Sequence, residues 1–160
     1  VDINLVKEQV GDGGVSAPAG ADIAALRQVV AEAGQDGIDL KIVVIETNPP
    51  IDTPLRDIAT EVGTAYPGST VLAVSPFYAG TYSPVYDRVT LEAGQDLAKT
   101  GDPVQSSKNF VAELQTPDFP WMPFTIVLVL GVAVAAVLTR VLQVRAKGVV
   151  ADEAPAGTAD

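Results

Sequence analysis

Apolar residues follow two different patterns along this chain, and they divide it. Through the first 118 residues they recur in short runs with helical or strand spacing. From Phe119 they merge into one block without a charged residue until Arg140 cuts it, and its centre reads WMPFTIVLVLGVAVAAVLT. A helix rising 1.5 Å per residue over that block spans roughly 30 Å, the thickness of a bilayer's hydrocarbon core. The block predicts a transmembrane helix over 119–140, a head over 1–118, and a tail over 141–160 that begins basic and ends disordered.

Within the head, Ile3, Val6 and Val10 predict a short amphipathic helix that stops at GDGG (11–14), and VSAPAGAD reads as loop. Asp22 is placed to cap a second helix. There Ile23, Leu26, Val29 and Val30 share a face, Arg27 and Glu32 lie opposite, and Gly34 is the expected stop. LKIVVIE (40–46) predicts a strand; its β-branched centre suggests burial on both faces. Thr53-Pro54 opens a third helix, with Leu55, Ile58, Ala59 and Val62 inward and Tyr66-Pro67-Gly68 closing it. STVLAVS (69–75) is the second strand. A strand–helix–strand unit of this length predicts a parallel pair with a right-handed crossover.

Beyond it, Asp87-Arg88 suits either a third strand or a helix start, and Val89, Ala93 and Leu97 support a helix to about Lys99. Asp102-Pro103 caps another, with Val104, Val111 and Leu114 inward. The fold class is therefore α/β, a small sheet-and-helix domain followed by one C-terminal span.

Charge sets a direction. The net charge is −10, and the head, with 17 acids against seven bases, carries all of it. Arg140, Arg145 and Lys147 follow the span, and positive flanks tend to stay in the cytoplasm, while Trp121 suits the opposite interface. These four are the expected membrane-interface anchors. The expectation is a single-pass protein of the plasma membrane, its head extracytoplasmic and its C-terminus cytoplasmic. No export signal is legible in VDINLVKEQV. An acidic head disfavours nucleic acid and suits a basic protein, besides the bilayer and other membrane-protein subunits as partners.

Candidate chemistry is sparse. Cys and His are absent, which removes thiol chemistry and the commonest general base. Ser106-Ser107-Lys108 is poorly spaced for a Ser–Lys pair, because adjacent helical residues diverge. GDGG lacks the Lys-Ser/Thr of a phosphate loop. Asp2, Asp12, Asp22, Asp36, Asp39 and Asp52 match no calcium-loop spacing, so solvated carboxylates are the simpler reading. Asp87-Arg88 is either an anion-binding pair or a surface ion pair. No catalytic, metal or cofactor residue is assigned, and an enzyme is not expected.

Phe77, Tyr78, Tyr82 and Tyr86, in PFYAGTYSPVYDR, are candidate partner-binding residues, the alternative being that they cover a sheet edge. In the span, Gly131 and Ala135, with Ala136 alongside, form a small-xxx-small face for packing against another helix, or simply reflect the composition of spans.

DIAALRQVVAEAG, LKIVVIE, TPLRDIATEVGTAYPG and TVLAVS resemble, in order, the helices and strands of the TPM-type domain, a small α/β unit often tethered near a membrane helix. Some such domains are phosphatases with acidic metal ligands, which makes a metal-dependent phosphatase the alternative function. GDGGVSAP, VVIETNPP, VLAVSPFYAGTYS and the span resemble actinobacterial single-pass membrane proteins of the corynebacterial and mycobacterial type, similar to accessory subunits of the cytochrome bcc–aa3 respiratory supercomplex. That resemblance implies a non-catalytic subunit that stabilises or docks partners. A membrane-tethered assembly factor is a further alternative.

Overall fold

The structure, a computed structural model, describes residues 1–117 and 121–152, with side chains described for 1–117 and 122–148. Two compact units divide the chain, the first Val1–Thr116 and the second beginning at Pro117.

In the first unit the order is α1 (Ile3–Gly11), β1 (Val15–Ser16), α2 (Ile23–Gln35), β2 (Leu40–Val44), α3 (Thr53–Ala65), β3 (Thr70–Val74), β4 (Ala79–Tyr82), α4 (Arg88–Leu97) and α5 (Pro103–Leu114). The four strands form one sheet in sequence order, the first three parallel and β4 antiparallel to β3. The strand pair predicted from LKIVVIE and STVLAVS is present and parallel.

Alternation along the strands builds a core on each side of the sheet. Leu40, Ile42, Val44, Leu72 and Val74 pack with Leu26 and Val29 of α2 and Phe110 and Leu114 of α5. On the other face, Val43, Val71 and Ala73 pack with Val6 and Val10 of α1 and Leu55, Ala59 and Val62 of α3. Full burial of each such side chain contributes about 1.5–3 kcal/mol. Because α2 and α3 cover opposite faces while β1, β2 and β3 step in one direction, the two crossovers have opposite hands. The right-handed preference therefore holds for one unit and not for both.

Several boundaries differ from the sequence reading. VSAPAGAD is not all loop, since Val15 and Ser16 pair with Ile42 and Val43; a two-residue strand carries no period to detect. Gly34 lies inside α2, and the helix stops at Gly37, whose φ of 82° is the left-handed conformation that favours glycine. The third helix is preceded by Asp52 rather than capped by Thr53, and Asp52 makes no side-chain cap bond. Ile23, Val89 and Leu97 are exposed; α4 instead packs Leu91, Gly94, Gln95 and Ala98.

Glycines permit several close packings, of which those at Gly94, Gly63 and Gly80 bear on the core. A Cβ on Gly94 would sit 2.7 Å from the Phe110 ring, and one on Gly63 would overlap the Tyr82 ring. At Gly80 of β4 the obstruction is the α3 backbone, namely Arg56 N, Leu55 C at 2.5 Å and Leu55 O at 2.8 Å.

The second unit holds one helix, α6 (Trp121–Asp152), 32 residues without a break. Met122–Gly148 has a mean hydropathy of 2.4 and buries none of its apolar window, so it is long and apolar enough to span a membrane. Pro123 is the third residue of the helix, in the first turn, where its missing N–H removes no intrahelical hydrogen bond. The Thr139 hydroxyl donates to the Ala135 carbonyl at 2.8 Å, which satisfies that polar group within the helix. Helix continues through VLQVRAK to Asp152, because that stretch has strong helix formers and no proline. The sequence predicts disorder over the last 13 residues, GVVADEAPAGTAD; of these 148–152 are helical, and 153–160 lie outside the described residues.

Candidate functional site

Parallel strands send their connecting loops to one end, and in open α/β sheets that carboxyl end is where ligands and partners are usually received. Here the loops after β1, β2 and β3 and the start of α5 enclose a cavity of about 290 Å³. Its walls are Pro18–Ala21, Val44–Glu46, Val74–Pro76, Gly101, Pro103 and Ser106. The polar groups inside are mostly used. The Ser75 hydroxyl donates to Asn48 Oδ1 at 2.9 Å, and the Ser106 hydroxyl shares a hydrogen with Thr100 Oγ1 at 2.7 Å. Glu46 is exposed at the rim and has no ion pair among the described residues.

Asn48 also accepts from the Phe77 amide at 2.8 Å, so one side chain ties the loop after β2 to the turn between β3 and β4. That tie fixes the backbone of Phe77, whose side chain is 73% exposed. Ile51, in the neighbouring loop, is 58% exposed. Pro18, Pro49, Pro50, Pro54, Pro76 and Pro103 stiffen the same edge by fixing φ.

The four candidate aromatics do not form one surface. Tyr78 and Tyr82 pack on the α1/α3 side of the sheet and Tyr86 on the α2/α5 side, all partly buried. Tyr78 and Tyr82, four residues apart, share a face, and Tyr86 lies beyond the end of β4, where strand alternation no longer applies. Of the four, Phe77 alone has an exposed side chain.

The acids have local tasks. Asp2, Asp22, Asp87 and Asp102 cap α1, α2, α4 and α5 by accepting from first-turn amides. Asp12 and Asp36 occupy helix C-caps, Asp39 pairs with Lys41 at 2.9 Å, and Asp52 lies 3.5 Å from Arg56. Among the described residues, no group of three or more acidic side chains is placed to hold a metal ion. At Asp87 the Thr90 amide, followed by its hydroxyl, holds the carboxyl below its ordinary range. Asp87-Arg88 is thus a helix start: Arg88 Nε donates to Glu92 at 2.6 Å, and that bond and charge hold its proton more tightly.

Four helices, α1, α2, α3 and α5, begin at the carboxyl end, and so Asp2, Asp22, Asp52 and Asp102 gather there with Glu46. The cations nearest in the chain, Arg56 and Lys99, are both in ion pairs. This end of the sheet is negative, apolar at its cavity and at Phe77, and rigid.

In the span, Gly131 has nothing within 4 Å of where a Cβ would stand, and Ala135 and Ala136 are exposed one turn on. Arg140, Arg145 and Lys147 lie on the continuous helix rather than in a tail. Trp121 opens α6, and its side chain lies outside the described residues.

Residues 1–154 match the family described as Membrane protein Rv1476. A relative of that name from Mycobacterium tuberculosis (strain ATCC 25618 / H37Rv) is 57% identical over 147 residues, covering 92% of this chain and 78% of the relative. No solved structure matches the chain.

Proposed function

Given that this chain belongs to the Membrane protein Rv1476 family and carries one helix able to span a bilayer, we propose that it is a non-catalytic docking subunit of a larger membrane complex. The head receives a basic protein at the carboxyl end of its sheet, and the Gly131/Ala135/Ala136 face of α6 packs against a neighbouring helix. The carrying observation is Phe77, a large apolar side chain held into solvent by a braced backbone beside a cavity rimmed by Glu46. Aromatic anchors of this kind dominate interface energetics, and a surrounding field of one sign speeds and selects encounters with the opposite sign.

The assembly we nominate is the actinobacterial cytochrome bcc–aa3 supercomplex, on the resemblance of GDGGVSAP, VVIETNPP and VLAVSPFYAGTYS to its accessory subunits. A cationic electron carrier is then a fitting partner for the head. We place the head outside the cytoplasm, supported by Arg140, Arg145 and Lys147 beyond the apolar block.

The test is purification of the full chain in mild detergent through a C-terminal tag. Stoichiometric co-purifying subunits are expected. Phe77→Ser should reduce partner occupancy by about tenfold or more, as loss of an aromatic anchor worth roughly 2 kcal/mol implies. A protein that emerges alone refutes the subunit reading.

A further inference from the structure

The head has a second cleft, away from the carboxyl-end cavity, whose chemistry is of opposite character. It encloses about 300 Å³ between α3 and α4 beside β4, the edge strand of the sheet, and its lining includes Arg56, Thr81, Tyr86, Arg88, Leu91 and Gln95. Two of the head's seven cations are therefore in one cleft of a strongly acidic domain.

Gln95 is the more telling residue. It is only 6% exposed, and its Oε1 accepts from the Thr81 hydroxyl at 3.3 Å. Its amide Nε2 has no protein partner among the described residues, although Gln95 lines the cleft. The amide is within reach of solvent through the cleft, and an acceptor seated there can take its N–H groups.

Both guanidiniums also have donors to spare. Arg56 uses Nη2 toward Asp52 at 3.5 Å, and Arg88 uses Nε toward Glu92 at 2.6 Å. Each pair joins residues four apart and is exposed, so solvent screens it and it does not compete strongly with a ligand. The remaining N–H groups form the planar fork that matches a carboxylate.

We propose that this cleft binds a small organic monocarboxylate with an apolar or aromatic body. Arg56, Arg88 and the Gln95 amide take the carboxylate, and Leu91 and the half-buried Tyr86 ring face the body. Glu92 also lines the cleft, so its charged lining is two cations against one anion. A single negative charge balances that lining. A phosphate dianion would exceed it, inside a domain that already repels anions. The proposal is independent of docking at the carboxyl end, because no residue is shared between the two linings.

The experiment is calorimetric titration of the full-length protein in detergent micelles with phenylacetate, with phenyl phosphate as the comparison. Phenylacetate should bind saturably with a dissociation constant below about 10 mM and more tightly than phenyl phosphate. Arg88→Gln alters an exposed residue and should leave the fold intact by circular dichroism. It should weaken binding about tenfold or more, the loss of one charge-assisted contact. Gln95→Met should weaken it similarly, while Arg27→Gln, outside the cleft, should not. Absence of saturable binding by the wild type overturns the proposal. So does an affinity unchanged in Arg88→Gln, or tighter binding of phenyl phosphate.

Discussion

Replacing Gly80 with alanine tests the architecture at its tightest point. The added methyl would meet Arg56 N, Leu55 C and Leu55 O, all backbone atoms of the first turn of α3, with the two Leu55 atoms at 2.5 and 2.8 Å. A flexible side chain could rotate away, but the helix backbone cannot. Either β4 or α3 must shift, and both belong to the core beneath Leu55. Overpacking of this kind costs about 1–3 kcal/mol, and obstruction by a rigid peptide group, that of Leu55 and Arg56, places Gly80→Ala near 3. For a domain of this size that lowers the melting temperature by roughly 12 °C.

Gly34→Ala is the internal control. Gly34 is exposed within α2 and has nothing within 4 Å of a Cβ, so alanine there gains up to about 1 kcal/mol, or roughly 4 °C. All four tyrosines lie in the head, so near-ultraviolet circular dichroism of the full chain in detergent follows head unfolding. A Gly80→Ala protein melting within about 2 °C of the wild type would show that α3 does not press on β4 as described.

Phe110 is fully buried against Gly94, and Phe110→Ala should cost about 3–5 kcal/mol in urea unfolding of the full chain. Asp22→Ala removes the acceptor for the Ala25 amide and should cost about 1 kcal/mol in the same titration. The Asp87 carboxyl is held below its ordinary range by Thr90. Its stabilisation is therefore present above the unfolded-state value and lost as pH falls through the lower folded value. Across that acidic window, the urea midpoint of the wild type should fall more steeply than that of Asp87→Asn.

The sequence was legible where a period had room to repeat. IVVI and TVLAV are β-branched or apolar throughout, and all but Ile45 are buried in the middle of the sheet. β1 has two residues, and β4 reads AGTY, where glycine hides the strand pattern. Asp22 and Asp102 were visible as caps because an apolar-periodic helix follows each. Asp87 was ambiguous because α4 buries Gly94 and Gln95 and exposes Val89 and Leu97, the reverse of what hydropathy suggests. The cavity after the strands was beyond reach, since its walls come from segments as far apart as Pro18 and Ser106 and meet only through topology. The same holds for the Arg56 and Arg88 cleft.

Helix α6 runs through Arg140, Arg145 and Lys147 to Asp152 without a hinge. The azimuth of those cations is thereby locked to that of Gly131 and Ala135 at 100° per residue. Torque or axial pull on the basic end is carried to the apolar stripe by one unbroken rod, as through a crankshaft. A glycine pair inserted after Leu142 would uncouple Arg145 and Lys147 from that stripe, leave Arg140 attached to it, and not alter the apolar length.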